Sequence, residues 1–350
     1  MLARDEFRKK IMKRIGPVSE LVLVGGGSLL RKLAAWAVSV DLPVRVLSSP
    51  RHASEEVSGG GGGKLTDFLD SQGVSTLVVE KLTDESVTDF VDWNRHVLCV
   101  SLGAAWIFRR DHIDSIFGGS LLNLHGTRLP QNRGGGGYSW QILMGNPFGF
   151  CVLHEVDEGV DTGDIISARE FLYPAWVRTP QDYAVVHERE NFSFVTAFID
   201  LVRMSEQVIT PVRQSEWFSS YWPRLFTEVS GQIDWSLDVS DLQRFICAFD
   251  QPHEGASTFL GEQRVFLQSV SLNLVDGYFH PYQSGLVYRK SEKWLCVAAK
   301  GGGLVIEKIT GENGQDLFPK VKEGDRFVTP LDLLEKSRTR VSYSPNGLVM

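Results

Sequence analysis

Glu20-Leu-Val-Leu-Val24 runs directly into Gly25-Gly26-Gly27-Ser28 and then into a helical stretch from Leu29 to about Val40. A buried strand, a glycine turn and a helix in that order open a mononucleotide-type α/β unit. The pattern continues. Strands are expected at Val44–Leu47, Ser75–Val79 and His96–Leu102, with helices at Leu65–Gln72 and from about Asp84 to Trp93. Leu121–Leu124, apolar except for Asn123, reads as a further short buried strand. A helix at Tyr138–Met144, strands at Phe148–Val156 and Asp164–Glu170, and a long helix at Pro180–Met204 complete a first domain, residues 20–205. Residues 1–19 read as an amphipathic lead-in helix, an extension before that domain.

Past Glu206 the pattern changes. A linker is expected over 206–227, followed by a helix near Asp241–Ala248 and short strands at Arg264–Val270, Gly285–Arg289, Trp294–Ala298 and Gly303–Ile309. Short strands separated by glycine suggest a small antiparallel barrel over 228–350. The 350 residues, 43% of them hydrophobic, are enough for two domains with a core each.

Two glycine-rich stretches invite nucleotide readings, and both fall short. A dinucleotide fingerprint needs a third glycine where Leu30 stands, and the strand ending at Ser48-Ser49 lacks the acidic residue that holds a ribose. The Gly25–Gly27 turn is then a packing turn, although the helix N-terminus behind it could face an anion. Gly59–Gly63 with Lys64 fails the P-loop pattern at Ser58 and at Leu65, and reads as a flexible surface loop.

Chemistry is concentrated between Leu121 and Glu170. Asn123 and His125 are two apart on a strand and so face the same side, at the C-terminal end where open α/β sheets place ligands. Asp161 lies in a tight Asp-Glu-Gly-Val-Asp-Thr-Gly-Asp loop. An amide, an imidazole and a carboxylate at strand ends form an acid/base constellation. Singly, each has a structural alternative: Asn123 as a turn cap, His125 as a core histidine, Asp161 as the brace of its own loop. Arg133 could pair with a substrate phosphate or carboxylate, or with an acid of the protein. His154 reads as structural and His187 as a surface residue. Cys99, Cys151, Cys247 and Cys296 are far apart and contain no Cys-x-x-Cys pair, so buried reduced thiols are expected and no metal.

These residues also resemble the folate-dependent formyltransferases. That family carries Asn-x-His-x-x-x-Leu-Pro-x-x-Arg-Gly, matched here by Asn123, His125, Leu129, Pro130, Arg133 and Gly134. Its x-Asp-x-Gly-x-Asp-Thr-Gly is matched by Asp157, Gly159, Asp161, Thr162 and Gly163. Ile233-Asp234-Trp235 and the segment around Phe249 to Ala256 resemble the start of the family's C-terminal domain, with Cys247 in place of an arginine. Four consecutive glycines, Gly134–Gly137, depart from the family, which commonly has a proline there. The resemblance covers most of residues 20 to 310 and is closest to the sugar N-formyltransferases.

The resemblance implies a Rossmann-like α/β domain followed by an OB-like β-barrel. It implies transfer of the formyl group of N10-formyltetrahydrofolate to an amine, with Asn123, His125 and Asp161 catalytic. The folate would lie against Leu102, Gly103, Ala104 and Ile107 on one side and Val156, Asp157, Glu158 and Val160 on the other. The acceptor would meet Arg133, Gly134 and Tyr138, with a diphosphate cradled by Arg133 and the Gly134–Gly137 backbone and a stacking surface from Tyr138, Trp140, Tyr221 or Trp222.

A nucleotide-linked amino sugar is the expected acceptor, with methionyl-tRNA the alternative and a dinucleotide-binding module without acyl chemistry, or a hydrolase of the folate, behind it. Charge favours the small molecule. The chain has a net charge of −7, and Glu228 to Met350 holds 13 Lys and Arg against 16 Asp and Glu, whereas a tRNA-binding domain needs cations to neutralise phosphates. Neither nucleic acid nor a membrane is expected as a partner, and a homodimer is the candidate assembly. The charged N-terminus and the lack of any long apolar run give a soluble, cytoplasmic protein as the expectation.

Overall fold

A computed structural model of the chain describes residues 12–56, 63–83, 85–135, 137–344 and 347–349. Its strands are β1 (Lys13–Ile15), β2 (Glu20–Gly25), β3 (Val44–Ser48), β4 (Ser75–Val78), β5 (Val97–Leu102), β6 (Leu121–His125), β7 (Arg133–Gly134), β8 (Phe148–Glu155) and β9 (Ile165–Leu172) in the first half. The second half adds β10 (Gln207–Ile209), β11 (Tyr221–Trp222), β12 (Ala256–Leu260), β13 (Gln263–Asn273), β14 (Val287–Lys290), β15 (Leu295–Ala299), β16 (Gly302–Thr310) and β17 (Phe327–Val328). The helices are α1 (Gly27–Ser39), α2 (Pro50–Ala53), α3 (Leu65–Ser71), α4 (Glu85–Thr88), α5 (Arg110–Phe117), α6 (Gly137–Leu143), α7 (Pro180–Met204), α8 (Thr227–Ser230), α9 (Val239–Ala248) and α10 (Leu331–Ser337).

Seven strands form one sheet in the order β4-β3-β2-β5-β6-β8-β9. The first five run parallel; β8 and β9 join antiparallel. β2 is buried at all six positions because both faces are covered, α1 and α7 lying on one side and the cluster around Val87, Ile116 and Phe117 on the other. Thr179 starts α7 with a capping box, its side chain accepting from the Asp182 N–H, and Pro180 occupies the first turn. The mostly parallel α/β sheet expected from the sequence is the one observed.

The second half curls into a six-stranded antiparallel sheet, β14-β15-β16-β13-β12-β17. Its ends meet: the Val287 N–H donates to the Asp325 carbonyl at 2.8 Å and the Phe327 N–H to the Gly285 carbonyl at 2.9 Å. The expected small barrel is therefore present. Its core is continuous with the first half, since Ile142, Tyr173, Tyr183 and Val186 pack with Leu242, Ile246, Phe249 and the barrel's inner residues.

Several local expectations are corrected. Residues 13–15 form a strand, not part of a helix: β1 pairs antiparallel with β10, and Lys13 is ion-paired to Glu155. Residues 1–11, the rest of that expected helix, lie outside the described residues. The stretch 206–227 is not a free linker. It pairs with β1, bridges to Ile165 through Val212, and lays β11 parallel to β7. The helix expected over 84–93 is the single turn α4, with Asp84 itself undescribed. α5 was not expected, although Ile113, Ile116 and Phe117 give it a buried face at helical spacing. Gly59–Gly62 of the rejected P-loop are undescribed. At the Gly25 turn, a Cβ would lie 2.3 Å from the Leu102 carbonyl oxygen, so close packing against β5 accounts for that glycine.

Candidate active site

The C-terminal end of β6 carries the site. Asn123 sits between Ser101 of parallel β5 and His154 of antiparallel β8, so the pairing itself places His154 beside it. The Asn123 amide nitrogen is 3.1 Å from His154 Nε2. His154 Nδ1 is 2.7 Å from the Glu155 carbonyl, which can only accept. The Nδ1 therefore carries the proton, and Nε2 accepts from the Asn123 N–H, leaving that amide a second N–H to donate.

His125 is fixed in the same way. Its Nε2 is 2.8 Å from the Asn132 carbonyl, and the Thr127 hydroxyl, which itself donates to that carbonyl, lies 2.6 Å from the same nitrogen. The proton belongs on Nε2, and Nδ1 presents a free lone pair. Asp161 Oδ1 is 3.6 Å from that Nδ1 and 3.5 Å from His154 Nε2, long for direct hydrogen bonds but close for charge. Asp161 Oδ2 accepts the Gly134 N–H at 2.9 Å, and Asp161 itself adopts φ 54°.

Electrostatics sort the two groups. Burial lowers the His125 pKa, against the opposing pull of Asp161 and the Asn132 carbonyl, so the ring is neutral at pH 7. Burial also resists ionisation of Asp161, but the His154 and His125 rings and the Gly134 N–H outweigh it and hold the carboxyl at about 2. The result is a carboxylate beside an unprotonated imidazole nitrogen. The same three side chains, His125, His154 and Asp161, bring donor atoms within 4.8 Å of one another. His154 Nε2 faces the Asn123 amide rather than open space, which suits proton handling better than an ion. The four cysteines are buried and free.

Two cavities meet at this point. One, of ≈ 340 Å³, is lined by Gly103, Ala104, Trp106 and Ile107 on one wall and Val156, Asp157, Glu158, Val160 and Asp161 on the other, with Asn123, His125 and His154 at its floor. Every residue expected at the folate site lines it except Leu102, which is buried in the core behind the wall. The second, of ≈ 240 Å³, is lined by His125, Arg133, Gly134, Tyr138, Trp140, His187 and Trp222 among others. His125 and Gly134 belong to both.

Three expectations about the second cavity change. Arg133 has found its partner within the protein: Nε donates to Gln214 at 3.0 Å and the other guanidinium nitrogens pair with Glu216. The Gly134 and Gly135 N–H groups are committed to Asp161 and to the Trp222 carbonyl, so they cannot cradle a diphosphate, and Gly136 is undescribed. Gly134 has φ 99°, and a Cβ there would fall 2.3 Å from the Trp222 carbonyl oxygen, so β11 can cross only over a glycine. His187 is buried, not on the surface. Its Nε2–H donates to the Phe150 carbonyl at 2.8 Å and its Nδ1 accepts the Tyr138 hydroxyl at 2.8 Å, with burial pushing its pKa down to about 4. Its face was readable: Tyr183, His187, Asn191 and Phe194 are spaced three and four apart and all buried. His154 had no such signal, because its place depends on the β6–β8 register.

The fold and the matches in sequence and structure point to the formyltransferases as the proteins this chain is similar to. Residues 226–320 match the family model described as formyl transferase, C-terminal domain. A methionyl-tRNA formyltransferase of Syntrophus aciditrophicus is 29% identical over 195 residues, 55% of this chain and 59% of that one, so the match spans less than two thirds of the relative's length. Among solved structures, WlaRD, a sugar 3N-formyl transferase solved in the presence of dTDP and 5-N-formyl-THF, superposes with a TM-score of 0.62 at 15% identity, covering 83% of this chain and 98% of the other. The N-formyltransferase of Helicobacter canadensis, in complex with folinic acid and dTDP-3-aminofucose, gives 0.57 at 17% identity with the same coverage. Residues 226–320 thus match a formyl transferase C-terminal domain, and the chain as a whole is similar to folate-dependent formyltransferases in partial sequence and in fold.

Proposed function

We propose that this protein transfers the formyl group of N10-formyltetrahydrofolate to an amino group of a small molecule, a nucleotide-linked amino sugar. The observation that carries the reading is the meeting of two cavities at one unprotonated imidazole nitrogen, which lets donor and acceptor reach His125 from two sides. The donor's pterin and formyl group would enter the cavity between the Gly103–Ile107 loop and the Val156–Asp161 loop, and the acceptor amine the cavity beside Tyr138.

The amine attacks the formyl carbon and becomes positively charged, while the carbonyl oxygen becomes negative. The second N–H of Asn123 donates to that oxygen, an interaction of roughly 3–4 kcal/mol in other acyl-transfer sites. His125 Nδ1 takes the proton lost by the attacking nitrogen and returns it to N10 as the C–N10 bond breaks, so no proton is gained or lost overall. Asp161 stabilises the imidazolium between the two transfers.

The acceptor assignment is supported by the dTDP compounds in the two superposed structures and by the acidic balance of the second domain. Trp222 and Trp140, with ring centroids 4.9 Å apart at the cavity edge, offer a base a stacking surface. The name of the Syntrophus relative favours the alternative, methionyl-tRNA. The deciding experiment incubates the protein with N10-formyltetrahydrofolate and either dTDP- and UDP-linked amino sugars or methionyl-tRNA. Formylation of a sugar nucleotide, with tRNA affinity weak and only shallowly salt-dependent, is expected. Submicromolar tRNA binding that falls steeply with salt, together with formyl-methionyl-tRNA, overturns the choice.

A further inference from the structure

The segment that reads as a linker holds a buried glutamine whose three polar contacts all go to the active-site loops. Gln214 Nε2 donates to the Asp161 carbonyl at 2.9 Å and to the Gly163 carbonyl at 2.7 Å, and its Oε1 accepts Arg133 Nε at 3.0 Å. The residue is 6% exposed. Two residues before it, Val212 exchanges both backbone hydrogen bonds with Ile165 at 2.8 Å, which fixes where the glutamine enters. One amide thus ties the loop after β6, which carries Arg133 and Gly134, to the loop between β8 and β9, which carries Asp161.

We infer that Gln214 is a positioning residue that sets the Asp161 carboxylate against His125, making the strap from 206 to 227 a working part of the active site. The backbone at Asp161 is in the left-handed region, which a non-glycine residue holds only when its surroundings over-determine it. Gln214 fixes that backbone from its carbonyl side, while the Gly134 N–H holds the carboxylate at Oδ2. No other side-chain donor is recorded on the Asp161 or Gly163 carbonyl among the described residues. The catalytic consequence rests on the formyl-transfer reading; the geometric one does not.

The test compares wild type with Gln214→Leu, which removes donors and acceptor, Gln214→Glu, which keeps an acceptor but loses both donors, and Glu216→Gln, which weakens only the exposed side of the Arg133 pair. Histidine side chains are titrated by NMR in each full-length protein, with melting temperature as the check on folding. Asp161 and His154 are the titratable groups that act on His125. Retreat of the carboxylate removes the influence that raises the His125 pKa, so that pKa should fall further in both Gln214 variants. The kcat for formyl transfer should fall at least roughly 10-fold with it, since ångström-scale misplacement of a catalytic group is costly. Glu216→Gln should titrate as wild type. A His125 titration unchanged in folded Gln214→Leu and Gln214→Glu overturns the inference, and so does unfolding of both, which would make the amide a structural tie. A wild-type protein that transfers no formyl group would sink the functional reading alone, because the titration is read without turnover.

Discussion

His187 gives the sharpest quantitative expectation. It is a buried neutral imidazole whose ring nitrogens are both committed, one donating to the Phe150 carbonyl and one accepting from Tyr138. Its pKa is depressed from 6.5 to about 4, burial being the main cause. A depressed group stabilises the fold fully above its unfolded pKa and loses that contribution as pH falls through the window down to the folded value. Protons then bind the unfolded chain first, so stability drops between about pH 6.5 and pH 4. At roughly 1.4 kcal/mol per pH unit, the loss reaches about 2 kcal/mol by about pH 5. His187→Gln can donate to Phe150 and accept from Tyr138 without titrating. Urea unfolding at a series of pH values, with both proteins compared at each, isolates this one group from the other histidines. The gap between wild type and variant should narrow, or reverse in favour of the variant, by about 2 kcal/mol between pH 7.5 and 5. Parallel stability curves for the two proteins would refute the claim that His187 is held neutral by burial.

Three further outcomes follow from the site. His125→Ala should lower kcat by roughly 10²–10⁴-fold and Asn123→Ala should also act mainly on kcat; near wild-type turnover by the histidine variant in a formylation assay removes the mechanism. Because Asp161 is held at about 2, it stays ionised across the working range, so the acid limb of kcat/KM should belong to His125 and lie below 6.5; a limb at or above 6.5 in the pH profile contradicts its burial-lowered pKa. Calorimetry should find 5-formyltetrahydrofolate bound, with Ile107→Asp weakening it, and no binding of NAD; micromolar NAD binding without folate binding would revive the dinucleotide reading.

The parts of this protein that the sequence made legible are those fixed by local pattern. Strand β2 with its glycine turn, helix α7 between Thr179 and Met204, and the Asn123–His125 spacing each follow from periodicity, capping or the two-residue repeat of a strand. What was not legible depends on pairing between distant segments. β1 lies where a helix was expected because its hydrogen-bond partner is β10, almost 200 residues away. His154 joins the site only through the β6–β8 register, and Gln214 only because Val212 bridges Ile165. Arg133 had two chemically equal partners in the sequence, and the position of Glu216 on the strap decides between them.

That strap matters because of how the charges balance. At neutral pH the His125–Asp161 pair holds one negative charge and one free proton-accepting nitrogen. Accepting a proton puts a cation into a buried site, which burial alone opposes. The opposing carboxylate offsets this by on the order of 4 kcal/mol at their 3.6 Å separation, taking an effective dielectric near 20, and that gain decays by about 1 kcal/mol for the first ångström of retreat. About 1 kcal/mol is roughly a five-fold change in rate, before any loss of alignment is counted. A loop that holds a carboxylate in a left-handed turn therefore needs fixing from outside itself, and the Gly134 N–H on one side and Gln214 on the other supply it. The second of these lies on the segment that leads into the C-terminal barrel.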